Sequence, residues 1–401
     1  MKKVLVPSVR FKGFDEEWKE EKLEEIGQTY TGLSGKTKKD FGHGNSRYIT
    51  YLNIFNNPIA NLKGLDRIEE DCKQNSVKYG DIFVTTSSEI PEEVGMTSIW
   101  PFKDKENIYL NSFCFGIRLN NINNYYINFL AYNLRNNQLR KDIVLLAQGI
   151  SRFNISNRRF MKLNILLPNI SEQQKIGKLL DQISNLITIE QTKLNKLKQL
   201  KETLLQKMFP EGNSKTPRIR FKGFNEEWKE EKLDDIFKVI TGGEPPKNYK
   251  NSKHPVGMYK YPIYSNGQEA NAIWGFSDNY SINTEAITIS SIGTIGFPVV
   301  RKMFFTPIIR LKTLLPYNKN MNINFLNLSV SQINFSFNQA GIPSMNSNQL
   351  KDNIILISRN FSEQQKIGDF FCKIDSLITL YHSKLNKLKQ IKEALLQKMF
   401  V

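Results

Sequence analysis

Apolar positions along the chain follow two regimes, and each regime occurs twice. After Ser171, Ile176, Ile183, Leu197 and Leu204 fall seven or fourteen residues apart, with Leu179, Leu186 and Leu200 three later. After Ser362 the series returns as Ile367, Ile374, Leu388 and Leu395, with Phe370, Leu377 and Ile391. A seven-residue apolar repeat predicts a coiled-coil seam. No proline interrupts the first run before Pro210, so each helix is expected to cover 39 residues, roughly 58 Å at 1.5 Å per residue. The openings Ser171-Glu172-Gln173-Gln174 and Ser362-Glu363-Gln364-Gln365 fit a capping box. Glu190 and Tyr381 hold matching seam positions and are expected to register the pair. Two ordinary amphipathic helices, each packed on its own domain, are the other reading of this pattern. The second regime is β-like: "GDIFVTTSS" and "EAITISSIGTIG" are short apolar runs among Asn-, Ser-, Gly- and Tyr-rich loops, which predicts a small mixed domain around each.

These recurrences are parts of a longer self-similarity, which outranks local propensity as a guide to architecture. Pro7 to Ile26 matches Pro217 to Ile236 at 15 of 20 positions, through "RFKGFDEEWKEEKL" and "RFKGFNEEWKEEKL". The match reaches Thr31-Gly32 and Thr241-Gly242, fades, and returns as "INFL" at Ile127 and Ile323 and as Gly149-Ile150 and Gly341-Ile342. Ser171 to Phe209 then matches Ser362 to Phe400 at 26 of 39 positions. Two copies of one unit thus share their ends and differ in their interiors. The expected fold is α+β: two mixed α/β domains separated by two long antiparallel helices, with an internal pseudo-two-fold repeat. The expected boundaries are 1–170 for the first domain (opening 7–26, variable part 27–170), 171–209 for the first helix and 210–216 for a linker. The second domain takes 217–361 (opening 217–236, variable part 237–361) and the second helix 362–401.

Charge says what the interiors meet. The net charge is +17, and the two variable parts carry +13 of it, with 18 basic against 12 acidic residues in the first and 12 against 5 in the second. Such an excess suits a polyanion, because Lys and Arg release condensed counterions when they bind phosphate. No apolar run approaches a membrane span, and "MKKVLVPSVRF" breaks at Pro7 before a signal core can form, so a cytoplasmic protein without membrane contact is expected. Cys72, Cys114 and Cys372 are scattered and predict buried free thiols rather than disulfides or zinc. His43, His254 and His382 have no carboxylate or cysteine at ligand spacing, so no metal site is expected. "TGLSGKT" at Thr31 lacks the first glycine of a phosphate loop, since Tyr30 stands there, and "EPPK" at Glu244 lacks the flanks of a methyltransferase motif. No catalytic residue is therefore assigned.

Loops of Arg, Lys, Asn, Gln and Ser suit base edges and phosphates. In the first domain the DNA-binding candidates are Lys36, Lys38, Lys39, Arg47, Ser87, Ser88, Arg152, Asn154, Arg158 and Arg159. In the second they are Lys247, Asn248, Lys250, Lys253, Asn266, Gln268, Ser290, Ser291, Arg301, Gln339, Ser344 and Asn346. For any one of them a solvated surface side chain is the plainer reading.

The paired "SEQQKIG" starts, the "LNKLKQ" runs at Leu194 and Leu385, the openings through Trp18 and Trp228 and the "TG" turns at Thr31 and Thr241 carry a resemblance. Over nearly its whole length the chain resembles the specificity subunits of bacterial type I restriction-modification systems. That resemblance implies two target recognition domains, each reading half of a split site in double-stranded DNA, and helices that space them and dock two methyltransferase subunits. It places adenine modification, S-adenosylmethionine, ATP and Mg, and cleavage by restriction subunits on partner chains, with no cofactor on this one. It carries no base preference over. A basic architectural protein that coats DNA without reading it, or an enzyme whose motifs have diverged, are the competing expectations.

Overall fold

The structure, a computed structural model, describes residues 5–103, 106–267, 272–339 and 341–401. The chain forms two compact units, Met1–Gln191 with Ser383–Val401, and Thr192–His382. Each unit therefore contains one variable interior, the first part of its own long helix and the last part of the other repeat's helix.

In the first unit a four-stranded antiparallel sheet has the spatial order Gly27–Thr31, Cys114–Leu119, Ile82–Thr85, Thr97–Ile99. Leu65–Ile68, Phe41–Ile49 and Ile108–Leu110 make a second sheet. In the second unit the central sheet has the same plan: Phe237–Thr241, Lys312–Pro316, Ala286–Ser290, Gly296–Arg301. The fully buried "IFVT" and "AITIS" strands are the two β-like runs expected from the sequence. Helix Ile127–Asn133 packs beside the first sheet and Ile323–Val330 beside the second, each starting at "INFL".

The two shared ends clasp each other. Arg10 of the first opening forks onto Glu172 of its helix start with two 2.7 Å hydrogen bonds, and Glu172 is wholly buried. Arg220 does the same to Glu363, at 2.5 and 2.9 Å. Gln173 accepts from the Tyr126 amide and donates to the Pro168 carbonyl, and Gln364 accepts from the Asn322 amide and donates to the Ser358 carbonyl. Lys175 lies over the Phe14 ring and Lys366 over Phe224. Gly177 and Gly368 let the neighbouring helix approach, since a Cβ would stand 2.5 Å from the Tyr126 ring at the first and 2.3 Å from Asn322 Oδ1 at the second. The repeated letters of "RFKGF" and "SEQQKIG" thus encode one joint twice.

The last residues of the helices close the cores. In the first unit Trp18, Phe129 and Phe400 form an aromatic triangle with centroids 5.4–6.3 Å apart, and the Val9 amide bonds the Lys398 carbonyl. In the second, Trp228, Phe325 and Phe209 repeat it at 5.3–5.8 Å, with the Ile219 amide on Lys207. Such rings each bury a large apolar area, so these contacts weigh heavily in each core.

The long helices run Ile170–Met208 and Phe361–Lys398, 39 and 38 residues. In the first unit Lys384 bonds Glu190 at 3.0 Å, while Lys392, further along, lies beside Asp181 and over Tyr132, so the two segments there are antiparallel. Glu190 sits buried in the seam, as its matching position suggested. Ile176 and Leu204 pack in the cores with Leu197, as do Ile367, Ile374 and Leu395; Ile183 is buried and Leu388 half-buried. Of their companions, Leu179 and Phe370 pack partly buried against the cores, and the other four turn outward. The inward positions advance by four and three: Ile176, Leu180, Ile183, Ile187, Glu190, Leu194, Leu197, Lys201, Leu204, Met208, matched by Phe371, Ile378, Leu385 and Met399 in the second copy. Leu186, Leu200, Leu377 and Ile391 are instead 41–49% exposed. Leu179-Leu180 and Leu186-Ile187 are both apolar pairs, so spacing alone did not choose between them. The caps also differ. Asn169 and Asn360, not the serines, receive the Glu172 and Glu363 amides at 3.0 and 3.3 Å, and Ser171 and Ser362 already lie inside the helices. Of the thiols only Cys114 is buried, because it alone lies in the central sheet; Cys72 is exposed and Cys372 intermediate.

Candidate nucleic-acid interface

In the first unit the fold gathers Ser87, Ser88, Arg152 and Asn154. The strand Phe153–Asn154 pairs antiparallel with Ser87–Ser88, closing a hairpin whose Gln148 and Asn154 exchange backbone hydrogen bonds. Arg152 is exposed, donates to Ser87 Oγ at 3.4 Å and lies 5.9 Å from the Phe113 ring centroid. Ser87, Ser88, Arg152 and Phe113 border an open cleft of about 440 Å³, whose other walls are Tyr51, Leu52, Phe55, Glu89, Ile90 and Glu93. Leu52, Ile90 and Phe113 are 65, 48 and 54% exposed, an apolar rim beside a cation.

Two partly buried arginines brace that cleft. Arg135 donates to the carbonyls of Ile54 and Phe55, ending the Tyr51–Asn56 helix, and to Thr97. Burial, with help from the neighbouring charge of Arg140, pulls the Arg135 pKa down to about 10. Arg140 donates to the carbonyls of Glu92, Val94 and Gly95 behind the opposite wall. Both guanidiniums cap main-chain acceptors, so the walls are set before any ligand arrives.

The other candidates of this unit lie apart from the cleft. Lys36 pairs with Asp71 at 2.8 Å and holds that carboxyl down to about 2, while Arg47 pairs with Glu106 at 2.7 Å. Lys38 and Lys39 are exposed in the short turn before Phe41, and Arg158 and Arg159 are exposed on the turn of helix Asn157–Phe160.

In the second unit Asn266, Ser290, Ser291, Ser344 and Asn346 come together, largely as structural parts. Asn266 donates to the Ile309 carbonyl at 2.5 Å and accepts from the Ser291 amide at 2.8 Å and from Ser290 Oγ. Ser291 Oγ donates to the Arg310 carbonyl at 2.6 Å, Ser344 exchanges backbone bonds with Asn338, and Asn346 caps the helix Ser347–Lys351. These bonds hold Ile309 and Arg310 at φ of 52° and 60°, left-handed values that cost on the order of 1–3 kcal/mol each for side-chain-bearing residues. Their amides are taken up by the Gly243 and Gly242 carbonyls, and Arg310 is exposed. Beneath it Lys312 donates to Thr241 and Ser347, its pKa lowered by burial and then by the Arg310 charge.

Arg301 is 5% exposed, donates to Thr288 and stacks 3.9 Å from the Tyr264 ring centroid; burial lowers its pKa. A duplex cannot reach that side chain, and the strand alternation that turned it inward was not visible in the loop-like composition around it. Lys247, Asn248, Lys250 and Lys253 form a separate exposed stretch, with Asn248 on Asp278 and Lys250 over Tyr259. Gln339 is exposed, and Gln268 lies outside the described residues.

Three features escaped the sequence reading: the apolar rim, the bracing arginines, and the strained Ile309-Arg310 turn. The Gly149-Ile150 and Gly341-Ile342 match also proves to be out of register. The backbone bonds Gln148 with Asn154 and Asn338 with Ser344, and those of Ile155 to Thr86 and Met345 to Ser291, align the hairpins so that Arg152 answers to Ile342. Among the described residues no group of three or more His, Cys, Asp or Glu is placed to hold a metal ion, and no helix is long and apolar enough to cross a membrane.

Residues 15–199 and 225–390 match the family model of the type I restriction modification DNA specificity domain. A Mycoplasma pneumoniae protein named as a type I specificity subunit is 34% identical over 144 residues, 36% of this chain and 39% of that one. A Methanocaldococcus jannaschii protein named as the type I restriction enzyme MjaX specificity subunit is 25% identical over 251 residues, 59% of this chain and 57% of that one. The chain spans about half the length of these curated relatives. Its fold is similar to the crystal structure of a type I restriction-modification system S subunit from M. genitalium, over 99% of both chains with a TM-score of 0.66 at 16% identity. A structure describing the assembly of a type I R-M system covers 96% of this chain and 98% of its own, with a TM-score of 0.52 at 15% identity. With both repeats matched over most of their length, the chain belongs to the family of the type I restriction modification DNA specificity domain.

Proposed function

We propose that this chain is a non-catalytic, sequence-specific DNA-binding subunit that recognises a bipartite, asymmetric site and brings partner methyltransferase and restriction subunits to it. One observation carries the reading: two copies of a single frame present different side chains from equivalent loops. Thr86 Oγ1 donates to the Phe113 carbonyl just as Ser291 Oγ donates to that of Arg310, so Phe113 and Arg310 stand at one position of the shared scaffold. A coat protein that ignores sequence has no use for two differently dressed copies of so regular a frame. Residues 1–170 and 217–361 act as the recognition domains, 171–209 and 362–401 as spacer and docking helices, and 210–216 as the linker. S-adenosylmethionine, ATP and Mg act on the partner subunits, and the complex works on DNA in the cytoplasm.

Binding competition tests this. The complex of this chain with its methyltransferase subunits should prefer a duplex bearing its methylated site over a random duplex by about a thousandfold or more at physiological salt. Equal competition by the two duplexes would make the protein an architectural one.

A further inference from the structure

We propose that Arg152 and Arg310 are the guanine-reading residues of the two domains, one for each half-site. The inference rests on the proposed function and names the side chains that give it specificity. Two equivalent positions in each unit surround the same backbone joint. One is the turn residue whose carbonyl is held by Thr86 or Ser291. The other is the fourth residue after the first bridging residue of the hairpin, Gln148 or Asn338. The first unit fills them with Phe113 and Arg152; the second fills them with Arg310 and Ile342. Each domain thus has one arginine and one apolar residue, in exchanged places, and all four are exposed.

Chemistry assigns the roles. A guanidinium reads guanine through paired bonds to O6 and N7 in the major groove, and an apolar side chain meets the thymine methyl. An arginine engaged with a carboxylate is poorly placed for that task, and Arg47 is so engaged with Glu106. Among the described residues the Arg152 guanidinium contacts the neutral Ser87 hydroxyl and Phe113 ring and forms no ion pair, although Glu89 and Glu93 line the same cleft, and these contacts orient its fork there. Arg310 is displayed by a turn held in left-handed backbone conformation by Asn266, Ser291, Gly242 and Gly243. Because the cation moves from hairpin to turn between the units, the guanine falls at a different place within each half-site.

The test uses cells that express the full chain with its methyltransferase subunits, in which methylated sites are mapped genome-wide for the wild type, Arg152→Ala and Arg310→Ala. Arg152→Ala should relax a guanine requirement at one position of one half-site, by roughly tenfold or more, and leave the other half unchanged. Arg310→Ala should relax one guanine in the opposite half. Arg152→Gln and Arg310→Gln, which keep a polar side chain, should lose the same guanine preference, so that a folding defect in one variant does not decide the outcome. Unchanged sites, relaxation of both variants in the same half, or a uniform drop in methylation at every site without relaxation would each overturn the assignment while leaving the subunit's function intact. A wild type that supports no bipartite methylation would overturn the function, and the assignment with it.

Discussion

At the scale of single residues the account depends on the two Arg–Glu clasps. Glu172 is wholly out of solvent and its carboxylate is taken by Arg10, whose own pKa rises mainly through that hydrogen bond. Arg10→Met leaves a buried carboxylate without its cation, and because the pair lies just beneath the surface the loss should be near the low end of the range, about 3 kcal/mol. Arg10→Met with Glu172→Leu should restore much of it, as read from denaturant midpoints. Gly177→Ala is a second case. Alanine favours a helix over glycine by about 1 kcal/mol, yet the added methyl would meet the Tyr126 ring at 2.5 Å and the Phe129 amide nitrogen at 2.9 Å. Overpacking costs about 1–3 kcal/mol, so a lower melting temperature is expected; a higher one would show that the helices have room. The sequence made the recurrence of Arg10, Glu172 and Gly177 plain but not their partners, because Arg10 meets Glu172 across 162 residues and Gly177 meets Tyr126, with no periodicity to announce either.

At the scale of elements, the helices and the buried strands were legible because a seven-residue repeat and short β-branched runs are local signals. Which of two adjacent apolar residues turns inward was not, since Leu179 and Leu180 satisfy the pattern alike. The structure makes that difference measurable. Leu180 is fully buried and Leu186 is 45% exposed, so Leu180→Ala should cost about 2–5 kcal/mol and Leu186→Ala about 0.5 kcal/mol or less. Reversal of that order in thermal or denaturant unfolding would restore the other seam. The interface was the least legible part. Composition identified Arg152 among ten candidates of the first domain, whereas Phe113 acquires its role only when the hairpin at 148–154 folds back on Ser87, and Arg135 and Arg140 theirs only when the chain brings them onto carbonyls 38 to 81 residues away.

For the whole molecule, the decisive feature is that each core is closed by residues ending the other repeat's helix. "LLQKMF" occurs at both helix ends, and Phe209 meets Trp228 as Phe400 meets Trp18. A fragment of residues 1–212 lacks Phe400 but carries its counterpart Phe209, so two copies should pair, each completing the other's core. Sedimentation at micromolar concentration should find a dimer, and a folded monomer would contradict this exchange. The central claim, that two different readers in one chain define one split DNA site, is tested most directly by sequencing the methylome of a host with and without this gene in the presence of its partner subunits. The account predicts a single bipartite, asymmetric motif that appears with the gene and vanishes without it. Methylation that is unchanged by the gene, or that follows a continuous motif, would contradict it.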